Sequence, residues 1–138
     1  MDANTLLAIS LHSLHFLSFA TLLGAVVYVR FFVTPKLAEE PEGPQLFLEM
    51  NSKGARWIYA AIGLALLSGL GQYYMRRNLI SHPLVGSKIL LALAAFAFIS
   101  MVFRSKGQPQ AIAVVQKHAN IALLLMLFVV ILASIATN

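Results

Sequence analysis

The chain contains no cysteine in its 138 residues, which removes disulfides, thiolate nucleophiles and cysteine metal ligands at once. Charge is scarce too. Asp, Glu, Lys and Arg make up 11% of the sequence, against roughly a quarter in a soluble domain. Half that supply cannot solvate a globule of this size, but it suffices where lipid does the covering. Acids are the scarcest: Asp2, Glu39, Glu40, Glu42 and Glu49 are all there are, and none falls inside an apolar run. That distribution argues against an intramembrane carboxylate relay or a carboxylate-bound cation. The methionines after the first (Met50, Met75, Met101 and Met126) form no Met-x-x-Met cluster. Hydrolytic triads, phosphate loops and zinc-protease motifs are missing. There is no internal repeat or low-complexity tract.

What is present is apolar. The composition is 59% hydrophobic and the mean hydropathy is +0.81. Four apolar segments stand out, predicting helices over about 5–33, 57–76, 83–103 and 118–136 in a single transmembrane domain spanning 1–138. About 20 residues at 1.5 Å rise cross a 30 Å hydrocarbon core, and backbone in lipid must bond to itself, so helices follow. The expected fold is all-α: an integral membrane four-helix bundle with little outside the lipid bilayer. Segment one is longer than a crossing needs and should tilt or project.

The breakers agree with that division. Pro35 is expected to close the first helix, and Pro41-Glu42-Gly43-Pro44 to bar its continuation. Ser81-His82-Pro83 reads as a helix start. Ser105-Lys106-Gly107-Gln108-Pro109 separates the last two helices, and 110–117 can extend the fourth one backwards. A short amphipathic helix is expected near 46–50. The leader carries Asp2 and no basic residue, and its apolar run exceeds a signal-peptide core, so segment one is expected to stay in the mature protein.

The net charge of +5 does not imply a nucleic-acid partner. The ten basic residues lie singly or in pairs at segment ends, with no basic helix interleaved with aromatics. Flanking Lys and Arg are a topology signal instead. Arg30, Lys36, Lys53, Arg56, Arg104, Lys106 and Lys117 share one side; Arg76, Arg77 and, if it snorkels, Lys88 share the other. Both termini are therefore expected on the non-cytoplasmic side, most simply of a bacterial cytoplasmic membrane.

Ionisable residues within such helices are costly and mark functional candidates. Here they are His12 and His15 in helix one and Lys88 in helix three. His15 falls about 6 Å and Lys88 about 7 Å to the outer side of their helix midpoints, at 1.5 Å per residue. They share one level. The face through His15 is Leu11, His15, Ser18, Leu22 and Ala25; Lys88, Ala92 and Ala95 share a face in helix three. Each candidate has a plainer reading: His12 as a hydrogen-bonded interfacial residue, Lys88 as a snorkelling side chain, His82 and His118 as solvated residues at segment ends. Ala61, Ala65 and Gly69 form a small-residue ridge suited to close helix packing.

Imidazole ligates haem iron and copper well, and bundles build such sites from inward side chains. The pattern resembles the small four-helix membrane proteins of the HemJ-type protoporphyrinogen oxidase and CopD-type copper-resistance group. The resemblance lies in Leu14-His15 with Gly24 and Tyr28, the Arg30-Phe31-Phe32-Val33 exit, Ala65-Leu66-Leu67-Ser68-Gly69-Leu70, and Lys88-Ile89-Leu90-Leu91. It implies a haem b site whose roles fall on His15 and Lys88, with Lys88 catalytic; His12 and Tyr28 are further candidate cofactor-binding residues, and His12 joins His15 as a candidate metal ligand. It also implies a porphyrin or quinone ligand.

Three functions are carried forward: a b-type haem redox protein, in one form a porphyrinogen-oxidising enzyme; an accessory or assembly subunit, in a homo-oligomer or beside a partner membrane subunit; and a copper-handling module using His12, His15 and His82. The arginine–asparagine–glutamate signature of the MAPEG trimers is missing.

Overall fold

The computed structural model describes residues 2–76 and 82–137; Arg77 and Ser81 lie outside the described residues, as do the side chains of Arg76 and His82. The described residues are almost wholly helical and contain no strand. The helices are α1 (Ala3–Tyr28), α2 (Thr34–Leu37), α3 (Gly43–Arg76), α4 (His82–Val102) and α5 (Ile112–Thr137). Among the described residues, three stretches are long and apolar enough to cross a membrane: Ala3–Leu37, Gly43–Tyr74 and Ile112–Ile135. The part of α4 whose side chains are described, Gly86–Val102, is likewise apolar.

Pro35 does not close the first helix. A π-helical turn over Val29–Val33 joins α1 to α2, and the chain stays helical to Leu37. The bonding explains how. The Thr34 amide donates to the Val29 carbonyl, five residues back. In that register the Arg30 carbonyl would look to the amide of residue 35, which proline lacks. The Thr34 hydroxyl fills the gap, donating to the Arg30 carbonyl at 2.9 Å. A proline is tolerated because its neighbour carries the replacement donor.

The second helix begins at Gly43 rather than near 57, absorbing the short helix expected around 46–50. Phe47, Asn51, Ala55, Ile58, Ile62 and Ala65 are all buried. Their spacings of three and four trace one unbroken helical stripe. Nothing between Pro44 and Trp57 breaks it, since Gly54 only lowers propensity. The turn ahead of α3 needs glycine: a Cβ on Gly43 would collide with the Leu37 carbonyl oxygen. The fourth long helix does start early, at Ile112, with Ile112 and Val115 buried rather than on the surface.

The helices pack as two pairs, α1 along α3 and α4 along α5, with α1, the π turn and α2 meeting α5 between them. The core of Leu22, Val26, Val29, Phe96, Ile99, Val102, Val115, Ala119, Ala122 and Met126 lies where the pairs meet. Outside, Phe16, Leu17, Phe32, Leu67 and Leu90 are each more than 60% exposed. An apolar surface of that extent needs a covering that water does not supply.

Candidate functional site

The inward face of α1 is close to the expected one. Ser18, Leu22 and Val26 are buried, with Leu11, His15 and Ala25 half-buried along the same stripe. Opposite, α3 presents Ala61, Ala65, Ser68 and Gln72, one helical face at steps of three and four. The small ridge lets the backbones approach, and the His15 ring lies directly on it. A Cβ added to Gly69 would stand 3.0 Å from His15 Cε1, so glycine makes the seat.

Two acceptors orient the ring. His15 Nδ1 is 3.0 Å from the Ala65 carbonyl oxygen and 3.2 Å from Ser68 Oγ. A carbonyl cannot donate, so Nδ1 carries the proton. The Ser68 hydroxyl donates to the Leu64 carbonyl at 2.6 Å, leaving its lone pairs for His15. Nε2 then faces away from these bonds with its own lone pair uncommitted when the ring is neutral. A histidine that ligates a metal is held in this way, with its other nitrogen donating to a carbonyl or carboxylate.

Lys88, half-buried on α4, stands close enough to the His15 imidazole to act on it electrostatically, as does His12. The two residues come from different helices, α1 and α4. His12 is exposed and pairs through Nδ1 with Gln72 Nε2 at 3.1 Å. Tyr28 belongs elsewhere. It is 60% exposed and stacks on Phe32 with centroids 5.7 Å apart, about 20 Å along the helix from His15 at 1.5 Å per residue. Among the described residues, no group of three or more His, Cys, Asp or Glu side chains gathers as a metal site.

No family model, curated protein or solved structure matches the chain. The arrangement has to be read from its own residues.

Three further polar positions matter beyond those singled out by sequence. Ser68 and Gln72 continue the Ala61/Ala65 face, so their place on it was available from spacing. Asn51, 4% exposed, donates to the Val102 and Arg104 carbonyls at 3.0 and 3.1 Å, tying α3 to the C-terminal end of α4. No local pattern announces that bond. His118 is not a solvated end residue: its ring lies 5.8 Å from that of Phe98, and Nδ1 is buried without a hydrogen bond.

Proposed function

We propose that this chain is an integral membrane four-helix protein that binds a b-type haem through His15 and serves in redox chemistry. It would lie in a bacterial cytoplasmic membrane with both termini on the non-cytoplasmic side. The observation that carries the reading is the double anchoring of His15 Nδ1 on Ala65 and Ser68. Those bonds fix the ring and its tautomer, and hold Nε2 in the state that a haem iron requires. A bound haem supplies one-electron chemistry.

The chain's own residues supply the rest. The Ala65 carbonyl and Ser68 hydroxyl keep the proton on Nδ1. Gly69 gives the ring room. Lys88 would offer a cation to an anionic group of the ligand, such as a propionate. In a porphyrinogen-oxidising enzyme the same lysine would stand beside the substrate, and a quinone is a fitting electron acceptor. A copper-handling module using His12, His15 and His82 is the alternative metal reading.

The test is an absorption spectrum of the full chain, expressed with ample haem and purified in mild detergent. A Soret band is expected, abolished by His15→Ala and kept by His12→Ala. Gly69→Val, which pushes on the ring, should weaken the band while helix content by circular dichroism stays constant. A colourless protein under these conditions overturns the haem assignment. If it also co-purifies with a second membrane protein, the accessory-subunit reading takes its place, with His15 serving only as an interhelical bond.

A further inference from the structure

A second polar cluster lies at the opposite end of the bundle. Arg30, half-buried on the π turn, donates from Nε to Asn120 Oδ1 at 2.6 Å, and its guanidinium lies 5.4 Å from the Phe31 ring centroid. One turn along, the fully buried Thr34 accepts from Gln116 Nε2 at 3.2 Å. Gln116 and Asn120, four apart on α5, therefore grip Thr34 and Arg30, four apart across the π turn. The grip uses Nε alone. Among the described residues Arg30 contacts no carboxylate, so the two Nη groups, the paired fork suited to an oxyanion, are left for another partner. Lys117, three residues before Asn120 and exposed, adds a second positive charge beside it.

The level of the cluster narrows that partner. Arg30 lies about 22 Å along α1 from His15, at 1.5 Å per residue. On α3, Arg56 pairs with the Trp57 ring at 5.4 Å, about 17 Å from the Ala65–Gly69 seat by the same rise. Two arginine–aromatic pairs at similar depth on adjacent helices mark a membrane–water interface. Tyr28, Phe31 and Phe32, all about 60% exposed, flank Arg30 in the sequence and offer apolar surface to an attached acyl chain. An anion that meets this arginine arrives with hydrocarbon attached.

We infer that Arg30, positioned by Asn120 and assisted by Lys117, binds the phosphate of one anionic phospholipid at the loop-side interface. The inference rests on the membrane-embedded part of the function proposed above and is independent of the haem. The chemistry shared with a free phosphate ion is the oxyanion; the exposed rings favour the lipid.

The test is native mass spectrometry of the full chain released from nanodiscs containing equal phosphatidylglycerol and phosphatidylcholine. One retained phosphatidylglycerol per chain is expected, with retention falling about fivefold in Arg30→Gln, the worth of one interfacial cation. Arg30→Lys keeps the charge, loses the Nε grip and the fork, and should fall by an intermediate amount while remaining helical by circular dichroism. Arg56→Gln removes an equal charge at the same interface and should leave retention unchanged. Equal losses from Arg30→Gln and Arg56→Gln would overturn the site in favour of diffuse charge attraction. So would equal retention of the two lipids by the wild-type chain. Displacement of the lipid by millimolar inorganic phosphate would overturn the lipid assignment in favour of a free anion. Recovery of the chain in the aqueous fraction without detergent would instead refute the membrane reading itself. A lipid-retaining but colourless protein refutes only the haem.

Discussion

The two ends of the bundle are built differently. At the loop end, buried residues come from every helix: Val29, Val33, Thr34 and Leu37 from the first span, Phe47, Asn51 and Ala55 from α3, Ile99, Val102 and Phe103 around the end of α4, and Ile112 and Val115 from α5. Side-chain bonds from Asn51, Arg30 and Gln116 cross between helices there. At the His15 end, residues 2–10 are exposed, and the described side chains of 69–74 and 86–94 are at most half-buried. His15 stands at the boundary. Immediately toward the loop end, Ser18 and Ser68 are buried; toward the termini the helices share little interior. Among the described residues, the buried packing that holds the helices together is concentrated at the loop end.

The largest test of this contrast is Leu22→Ala against Leu6→Ala. Leu22 is fully buried and Leu6 is 58% exposed. Truncating Leu22 should cost about 3 kcal/mol, mainly from the cavity left behind. In lipid the hydrophobic transfer contribution is weak, so the value belongs in the lower half of the usual range. Leu6→Ala should stay within about 0.5 kcal/mol. Unfolding in mixed detergent measures both, and equal costs would break the two-ended description.

Next in size is Asn51→Ala. It leaves the Val102 and Arg104 carbonyls without their side-chain donor, at a cost of about 2 kcal/mol. Hydrogen exchange should show the loosening at the end of α4 and not at His15. Smaller again is Ser68→Ala, which removes one of the two acceptors on His15 Nδ1. An interhelical bond in a membrane is worth about 0.6 kcal/mol, so unfolding should barely shift, while the Nδ1 resonance should move clearly in nitrogen NMR.

The smallest effect lies at the His15 end itself. Asp2 caps α1 by accepting from the Thr5 amide at 2.7 Å. Hydrogen bonding from the Thr5 side chain, chiefly, and then from the Thr5 amide holds its carboxyl below the ordinary carboxylate value. A lowered value in the folded state means the cap is intact above the ordinary range and is lost as pH falls through the lowered value. The Thr5 amide shift should titrate there, with no change in the pairing of α1 and α3.

Much of this was legible along the chain, and the exceptions have identifiable causes. The four apolar helices follow from run length and scarcity of charge. The inward face of α1 follows from its period. The start of α3 was misplaced although its buried stripe is regular from Phe47 onward. Polar neighbours such as Glu49, Asn51 and Lys53 lowered the local hydropathy, whereas the helix depends on backbone bonding and one buried face. Pro35 misled for a related reason, since the rule that proline ends a helix takes no account of a hydroxyl one residue earlier. Tyr28 was drawn toward the site by resemblance, but 13 positions of separation from His15 on one helix already put it out of reach.

By itself, then, the sequence determined an all-helical chain, four apolar helices, and which few polar residues those helices would carry. These are local matters of composition and period, settled by solvation and backbone bonding. The tertiary structure decided which helices pair, that His15 is seated on Gly69 with its Nδ1 proton committed, and that Asn51 and Arg30 reach across to other helices. Those depend on side chains 50 or more residues apart meeting at hydrogen-bond distance. No pattern within a single helix specifies such a meeting.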